Sequence, residues 1–534
     1  MMAHEKKDCS TGCEVPTGIV TEEGDRAEAQ GNTDALKNAA ERNKLGQFST
    51  PFGLARQMTR HALTFLPQKI PVCFLEPAIG SGVFFSALRC ETDEQRVLSA
   101  TGCEIDDAYG RIARSLWTDR DLEVVSCDFA DFASDPARFG MFSLLCTNPP
   151  YVRHHHLNPS RKQRLQALVV RRLGLQPSGL SGLYVYFVLL ADALLMEGGV
   201  ATWLLPAEFL YVNYGRVLRE YLVSRVTLLS IHQFDPEDVQ FEDALVSSCV
   251  VTYRKALPTE DAACALSFGG ALAEPAVNRR VPLNKLRSLN KWTMASVDTE
   301  AKPSNQLRLK DLVTVRRGIA TGANGFFILD KETVERHQIP RAYLKPILPS
   351  PRYVSGPVIE VGEDGMPRID GARYLLDCTA PPDVVKRDAP GLWAYLEQGV
   401  AQGVASGFLC AQREVWYFQE RREPAPFIAS YMGRSRTRQA CPIRFFVNFS
   451  SALVTNVFLN LYPSPELQAI IGGRRERMLE FANALNAIPA EAMMLAGRAY
   501  GGGLHKIEPK ELREIPLASV PEWLSEGLKN RKLL

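Results

Sequence analysis

Phe74-Leu75-Glu76-Pro77-Ala78-Ile79-Gly80-Ser81-Gly82 is an apolar run that ends in a glycine-bearing turn, and a helix-like stretch begins directly behind it at Val83. Glycine lacks a Cβ and tolerates positive φ, so such a turn lets the backbone approach a ligand closely. Alone, the pattern is shared by several kinds of nucleotide fold and by plain tight turns. Its meaning comes from the next two β-like runs, which end in Gly102-Cys103-Glu104-Ile105-Asp106 and in Cys127-Asp128-Phe129, so that three successive strand ends carry acids. Open α/β sheets bind ligands at the carboxyl ends of their strands, beside a topological switch point. At those ends Glu104 is placed to accept from two ribose hydroxyls, and Asp128 from an adenine amine with Phe129 against the ring. Acids that merely cap the following helices would look the same one at a time. Together they point to a nucleoside-containing cofactor. No Lys-Ser or Lys-Thr follows the glycines to hold phosphate and magnesium, which argues against an NTPase.

Outward from this stretch, short β-like runs at 72–78, 100–106, 122–128, 142–151, 199–206, 226–234 and 245–253 alternate with helical segments. That alternation predicts an α/β domain with a mostly parallel, Rossmann-like sheet over residues 44–256. Residues 1–43 are rich in Glu, Asp, Lys, Gly and Thr without apolar periodicity, and are expected to be a disordered tail with at most one helix. Between 257 and 304 the apolar pattern weakens and a linker is expected. From 305 to 534, short segments with turn residues predict a second, mixed α+β domain. A chain of 534 residues is long enough for two cores.

The most specific signal is Leu144-Leu145-Cys146-Thr147-Asn148-Pro149-Pro150-Tyr151, an apolar strand running straight into Asn-Pro-Pro-Tyr. Consecutive prolines remove backbone donors and fix φ, which leaves a carbonyl held out and free to accept. An amine conjugated into an aromatic ring is a poor nucleophile, and two acceptors on its hydrogens favour the reactive pyramidal form. The Asn148 side-chain oxygen and the Pro149 carbonyl can supply them, with Pro150 stiffening the loop and Tyr151 stacking on an extruded base.

At this point the chain resembles the gamma-type adenine-N6 DNA methyltransferases of restriction-modification systems, TaqI-like in motif order. That order is an N-terminal cofactor motif, a glycine loop, the catalytic Asn-Pro-Pro-Tyr and a C-terminal target-recognition domain. Gly46-Gln47-Phe48-Ser49-Thr50-Pro51 matches the first motif, and Glu76 to Gly82 the second, with Leu75-Glu76-Pro77 departing from the usual start. The resemblance implies a class I methyltransferase fold, S-adenosyl-L-methionine as cofactor and transfer to N6 of a flipped adenine in double-stranded DNA. It implies cofactor contacts from Thr50, Pro51, Glu76, Pro77, Ala78, Gly80, Gly82, Glu104, Ile105, Asp128 and Phe129, with Asn148, Pro149, Pro150 and Tyr151 catalytic. It also implies a second aromatic residue facing the base, for which Phe241 is the candidate. In the recognition domain Arg316 and Arg317, Arg436 within the series Arg434, Arg436, Arg438 and Arg444, and Gly502 in the glycine run after Tyr500 are the candidate DNA contacts. A separate cognate restriction endonuclease is a possible partner.

Enzymes that methylate a glutamine side chain of release factors also carry Asn-Pro-Pro-Tyr, but they are short and lack a large C-terminal domain. An RNA adenine methyltransferase is a further enzyme reading of the same motifs. A catalytically idle DNA-binding specificity subunit is a reading of a different class, and intact Asn148 to Tyr151 weigh against it. The formal charge of +2, from 62 Lys and Arg against 60 Asp and Glu, announces no polyanion partner, so any such surface must come from local clustering. Residues 183–205 are interrupted by Asp192, Glu197, Gly198 and Gly199, which suits a buried helix and strand better than a membrane span. With no secretory signal at the start, a cytoplasmic location is expected. The 12 cysteines are scattered, and thiols packed as small hydrophobes are expected of them. No metal site is expected: Cys9 and Cys13 with His4 lack a fourth ligand, and the adjacent His154, His155 and His156 cannot all face one ion.

Overall fold

In the computed structural model, residues 17–37, 41–42, 45–235, 247–293, 307–434, 441–500, 504–517 and 519–530 are described. The chain divides into two units, Met1–Thr299 and Glu300–Leu534. The first is built on a sheet of strands β1 (Val72–Glu76), β2 (Val97–Glu104), β3 (Leu122–Ser126), β4 (Phe142–Thr147), β5 (Leu195–Pro206), β6 (Thr227–Gln233), β7 (Ser248–Arg254), β8 (Ala263–Gly270) and β9 (Pro275–Pro282). Their order is β3-β2-β1-β4-β5-β7-β6-β8-β9. From β3 to β5 all pairings are parallel, whereas β7 runs antiparallel to both β5 and β6. All seven β-like runs become strands. β4 is buried along its whole length, which is why its sequence is a continuous apolar run instead of an alternating one.

Helices cover the sheet. In α2 (Phe52–Phe65) Leu54, Ala55, Met58, Ala62 and Leu63 recur at helical spacing and are buried. α3 (Val83–Glu91) follows β1 and α4 (Asp107–Trp117) follows β2; α5 (Pro159–Leu173), α6 (Leu183–Ala191) and α7 (Arg216–Ser224) come later. Every residue of α6 is buried, as an all-apolar helix requires.

Two expectations about the chain's organisation are corrected. The stretch read as a disordered tail with at most one helix does hold a helix, the 19-residue α1 (Thr17–Ala35), but that helix is packed against the domain and not part of a disordered tail. Its anchor is polar: Glu23 and Arg26 are buried, so the helix is held without an apolar stripe. Within the stretch read as a linker lie β8, β9 and the helix α8 (Leu283–Ser288). β8 pairs parallel with β6, β9 antiparallel with β8, and Trp292 is buried after α8, its indole donating to the Leu286 carbonyl at 2.8 Å. β9 is mostly exposed. A half-solvated edge strand carries polar residues and prolines, and that dilutes its apolar pattern.

The second unit is mixed α+β, as expected. Its five-stranded sheet has the order β10 (Val313–Arg317), β19 (Phe458–Pro463), β15 (Phe427–Ser430), β17 (Phe445–Asn448), β13 (Val358–Ile359). A four-stranded sheet contains β11 (Ile328–Leu329), β14 (Arg373–Leu376), β12 (Leu344–Leu348) and β18 (Leu453–Val454), and a three-stranded one β16 (Met432–Arg434), β21 (Leu504–Lys506) and β20 (Arg498–Tyr500). Phe427, Phe445, Leu459 and Leu461 pack with Phe481 and Leu485 into one core, and the rings of Phe427 and Phe481 meet edge-on at 5.1 Å.

Candidate active site

A cavity of about 620 Å³ opens at the carboxyl ends of β1 to β4. The strand order reverses there, β1 connecting outward to β2 and β3 on one side and β4 lying on the other, which makes it the switch point of the sheet. Pro77, Ala78 and Gly80 after β1, Glu104 and Ile105 at the end of β2, and Asp128 and Phe129 after β3 all line it. Thr50, Pro51, Glu76 and Gly82 do not. The turn after β1 carries φ of +55° at Gly80 and +89° at Gly82. A Cβ on Gly82 would lie 2.5 Å from Nε1 of Trp117, whose indole donates to the Ser81 carbonyl at 2.9 Å.

Glu104 is held from both sides. Its Oε2 accepts from the Gly80 amide and its Oε1 from the Asp106 amide, each at 2.8 Å. Burial raises this carboxyl above the usual carboxylate range, and the amide donors partly offset that. Glu76 lies beneath the turn; burial pushes its carboxyl well up, and its Oε2 has no hydrogen-bond partner. Ile105, by contrast, is an apolar side chain left 62% exposed at the cavity.

β4 delivers Asn148 and Pro150 to the same cavity. The Asn148 Nδ2 donates to the Phe48 carbonyl and to the Thr50 hydroxyl, each at 3.1 Å. Its Oδ1 is buried and has no partner. Gly46, at φ +68°, brings this loop against the Asn148–Tyr151 loop: its carbonyl accepts from the Tyr151 amide at 3.2 Å, and a Cβ there would lie 2.4 Å from that amide. Pro149 is buried and does not line the cavity. The Tyr151 ring leans on Phe48 at 5.7 Å and edge-on against Tyr184 at 6.4 Å, and its hydroxyl donates to the Leu204 carbonyl at 3.0 Å.

Several residues of the wall were not singled out from the sequence. Gln30 and Asp34 of α1 line the cavity, as do Tyr109, Arg161 and Phe187, together with Gln47, Phe48 and Asp106 of the motifs quoted from the sequence. Arg26 makes a bidentate pair with Glu23 and donates to Ser81 Oγ of the glycine turn at 2.6 Å, and Ser86 of α3 donates to Glu23 at 2.7 Å. Asp34 accepts from Tyr109 and Ser49, while Lys37 and Gln47 both bind Asp106. Arg161 of α5 pairs with Asp128 at 2.8 Å, and Asp128 also accepts from the Ala130 amide. Phe129 stacks on Phe187 at 4.6 Å. Helix α1 has no apolar signature, and α5 is far from β3 in sequence, so neither partnership was visible in one dimension.

In the second unit Arg316 and Arg317 are exposed on β10. Arg317 donates to the Asn456 carbonyl at 3.1 Å and lies 4.3 Å over the Tyr431 ring. Arg444 donates to the carbonyls of Pro351 and Val354, a structural use. Phe241, Arg436 and Gly502 lie outside the described residues. Among the described residues no group of three His, Cys, Asp or Glu could hold a metal ion, and no helix is long and apolar enough to cross a membrane.

Residues 104–240 match the family "Eco57I restriction-modification methylase", and residues 288–532 the family "Type II methyltransferase M.Eco57I, C-terminal domain". Among curated relatives, the Type II methyltransferase M.AccI of Acinetobacter calcoaceticus is 25% identical over 511 residues, covering 92% of this chain and 88% of its own. M.XamI of Xanthomonas campestris pv. amaranthicola is 24% identical, covering 89% and 86%. Two solved structures share the fold. The type IIL restriction-modification enzyme MmeI in complex with DNA superposes with a TM-score of 0.54 at 12% identity, over 91% of this chain and 70% of that one. For the DrdV–DNA complex the TM-score is 0.52 at 12% identity, over 97% and 60%. The chain thus spans about three fifths of the length of DrdV.

Proposed function

The chain belongs to the type II restriction-modification DNA methyltransferases, and from that premise we propose that it methylates the N6 amine of an adenine flipped out of duplex DNA, with S-adenosylmethionine as donor. The observation that carries this reading is the Asn148 amide, whose nitrogen is fully engaged and whose Oδ1 is buried without a partner at the wall of the cavity. A buried acceptor left unsatisfied costs about 1–3 kcal/mol. A ligand hydrogen placed there would remove that cost. An adenine amine brings hydrogens for that acceptor; Oδ1 of Asn148 takes one, which draws the nitrogen lone pair out of conjugation with the ring, whereas Pro149, buried off the cavity wall, is not given the second acceptor role expected of it from the sequence.

The rest of the cavity fits the nucleoside. Glu104, with each oxygen already oriented by one amide, retains acceptor capacity for two ribose hydroxyls. Ile105 offers apolar surface that an adenine ring would cover, and Asp128 an acceptor for its amine. Bound there, S-adenosylmethionine supplies an electrophilic methyl group on a sulfonium. The role of the protein is then to present the nucleophile and exclude water. Tyr151 is buried and does not line the cavity, so the stacking on a base expected of it from the sequence is replaced by bracing Phe48 of the cavity wall, and it is not assigned to proton transfer, because its hydroxyl is engaged by Leu204 and burial pushes its pKa well up. Sequence choice falls to the second unit, where Arg316 is an exposed candidate for phosphate or guanine contact.

Single-turnover transfer of labelled methyl to duplex DNA, with the product nucleoside identified by mass spectrometry, tests the reading. N6-methyladenine is expected. Asn148→Ala should slow its formation at least about a hundredfold, the usual cost of removing one oriented hydrogen-bonding group from a transition state. Cofactor affinity should stay within a few-fold. Methylcytosine or methylated protein as product, or a near wild-type rate in Asn148→Ala, would overturn the proposal.

A further inference from the structure

We infer that Thr50 is a positioning residue: the Phe48 carbonyl sets which end of the Asn148 amide faces the reacting amine, and the Thr50 hydroxyl, by taking the second amide hydrogen, holds the amide in that orientation. The inference rests on the catalytic role proposed above for Asn148. A carboxamide has two ends of nearly equal size and opposite hydrogen-bonding character. Turned one way, Asn148 offers an acceptor to the adenine amine. Turned the other way it offers a donor, which repels the amine hydrogens and leaves the lone pair in the ring. The strand β4 and the prolines place the side chain but do not choose between these orientations.

The choice is made by the loop ahead of α2. The Phe48 carbonyl can only accept, and it lies 3.1 Å from Nδ2. Thr50 Oγ1 lies 3.1 Å from the same nitrogen. Both amide hydrogens of Asn148 are therefore spent on this loop, and a flipped amide would set Oδ1 against a carbonyl oxygen. Thr50 is buried and absent from the cavity wall, so its side chain is used on Asn148 and not on a ligand. The loop is itself pinned to the catalytic one through Gly46, whose carbonyl holds the Tyr151 amide. The motif that the sequence suggested for cofactor contact thus acts, through Thr50, on the nucleophile.

Thr50→Val keeps the shape and removes the hydroxyl, whereas Thr50→Ser keeps the hydroxyl. In single-turnover methyl transfer to duplex DNA at saturating cofactor, Thr50→Val should lower the rate about tenfold or more, with the dissociation constants for S-adenosylmethionine and for DNA changed less than about twofold. One decade of rate corresponds to about 1.36 kcal/mol. Thr50→Ser should return the rate to within about threefold of wild type. A purely structural role would shift affinity and unfolding temperature together with the rate and would not be rescued by serine. An unchanged rate in Thr50→Val, or a weakened cofactor affinity with an unchanged saturated rate, overturns the inference. If Thr50→Val does not fold, Thr50→Ala carries the same expectations. Asn148→Ala is measured alongside: a slow Asn148→Ala with an unchanged Thr50→Val overturns the positioning inference alone, whereas a fully active Asn148→Ala overturns the catalytic reading and the inference that rests on it.

Discussion

Burial raises the Glu104 carboxyl, and the amides of Gly80 and Asp106 bind its two oxygens without fully offsetting that cost. The group therefore takes up a proton at a higher pH than an exposed glutamate does. The ionised form has the most acceptor sites for ribose hydroxyls, so cofactor affinity should be complete above the raised pKa and fall as the pH is lowered through it. Calorimetric titration with S-adenosylmethionine across a pH series reads this directly. Glu104→Gln should bind more weakly at neutral pH and lose that part of the pH dependence, and an identical profile in the variant would assign the titration to another group. At this scale much was legible. Acids at strand ends and Asn-Pro-Pro-Tyr are local patterns, and Glu104, Asp128 and Asn148 were named from them and do lie on one cavity. What a residue does once there was less legible. Asp128 shares its carboxylate with Arg161, and Thr50 serves Asn148, because both partners arrive from distant segments.

At the scale of elements, α1 is the part whose sequence was least informative. It is held by a buried pair, Arg26 with Glu23, tied to Ser81 and Ser86. Removing one partner of a buried pair leaves the other charge uncompensated, which costs about 3–5 kcal/mol, whereas replacing both by apolar groups is often neutral. Arg26→Leu should accordingly lower the stability in urea denaturation by about that much, and the double change with Glu23→Leu should recover most of it. Cofactor affinity should fall in the single variant too, since Arg26 braces the glycine turn and α1 supplies Gln30 and Asp34 to the cavity. Full stability and affinity in Arg26→Leu would mean that α1 is not needed by the site. β8 and β9 teach the complementary point. Their strand character comes from pairing, β8 on the free edge of β6 and β9 in turn on β8, and not from a strong pattern of their own.

For the whole molecule, the boundary at Thr299 and not near Arg254 predicts how fragments behave. Residues 1–293 should fold and bind S-adenosylmethionine, while a fragment ending at Arg254 should be less soluble, because it strips β8 from the edge of β6 and removes Trp292 from its buried position. Neither fragment should keep sequence-specific DNA binding, which the full chain should show with a log–log salt slope of about −0.9 per phosphate contact. Specific binding at full strength by residues 1–293 would place recognition in the first unit. The sequence by itself determined the α/β class, the seven strands from β1 to β7 and the chemistry-bearing strand ends. Each of these follows from local rules: burial on both faces writes an apolar run, and a close backbone approach writes glycine. Only the tertiary structure decided the antiparallel insertion of β7, the use of α1 as a wall of the cavity and the orientation of the Asn148 amide. Those depend on which distant surfaces meet, and polar contacts between distant segments leave no periodic trace in the chain that makes them.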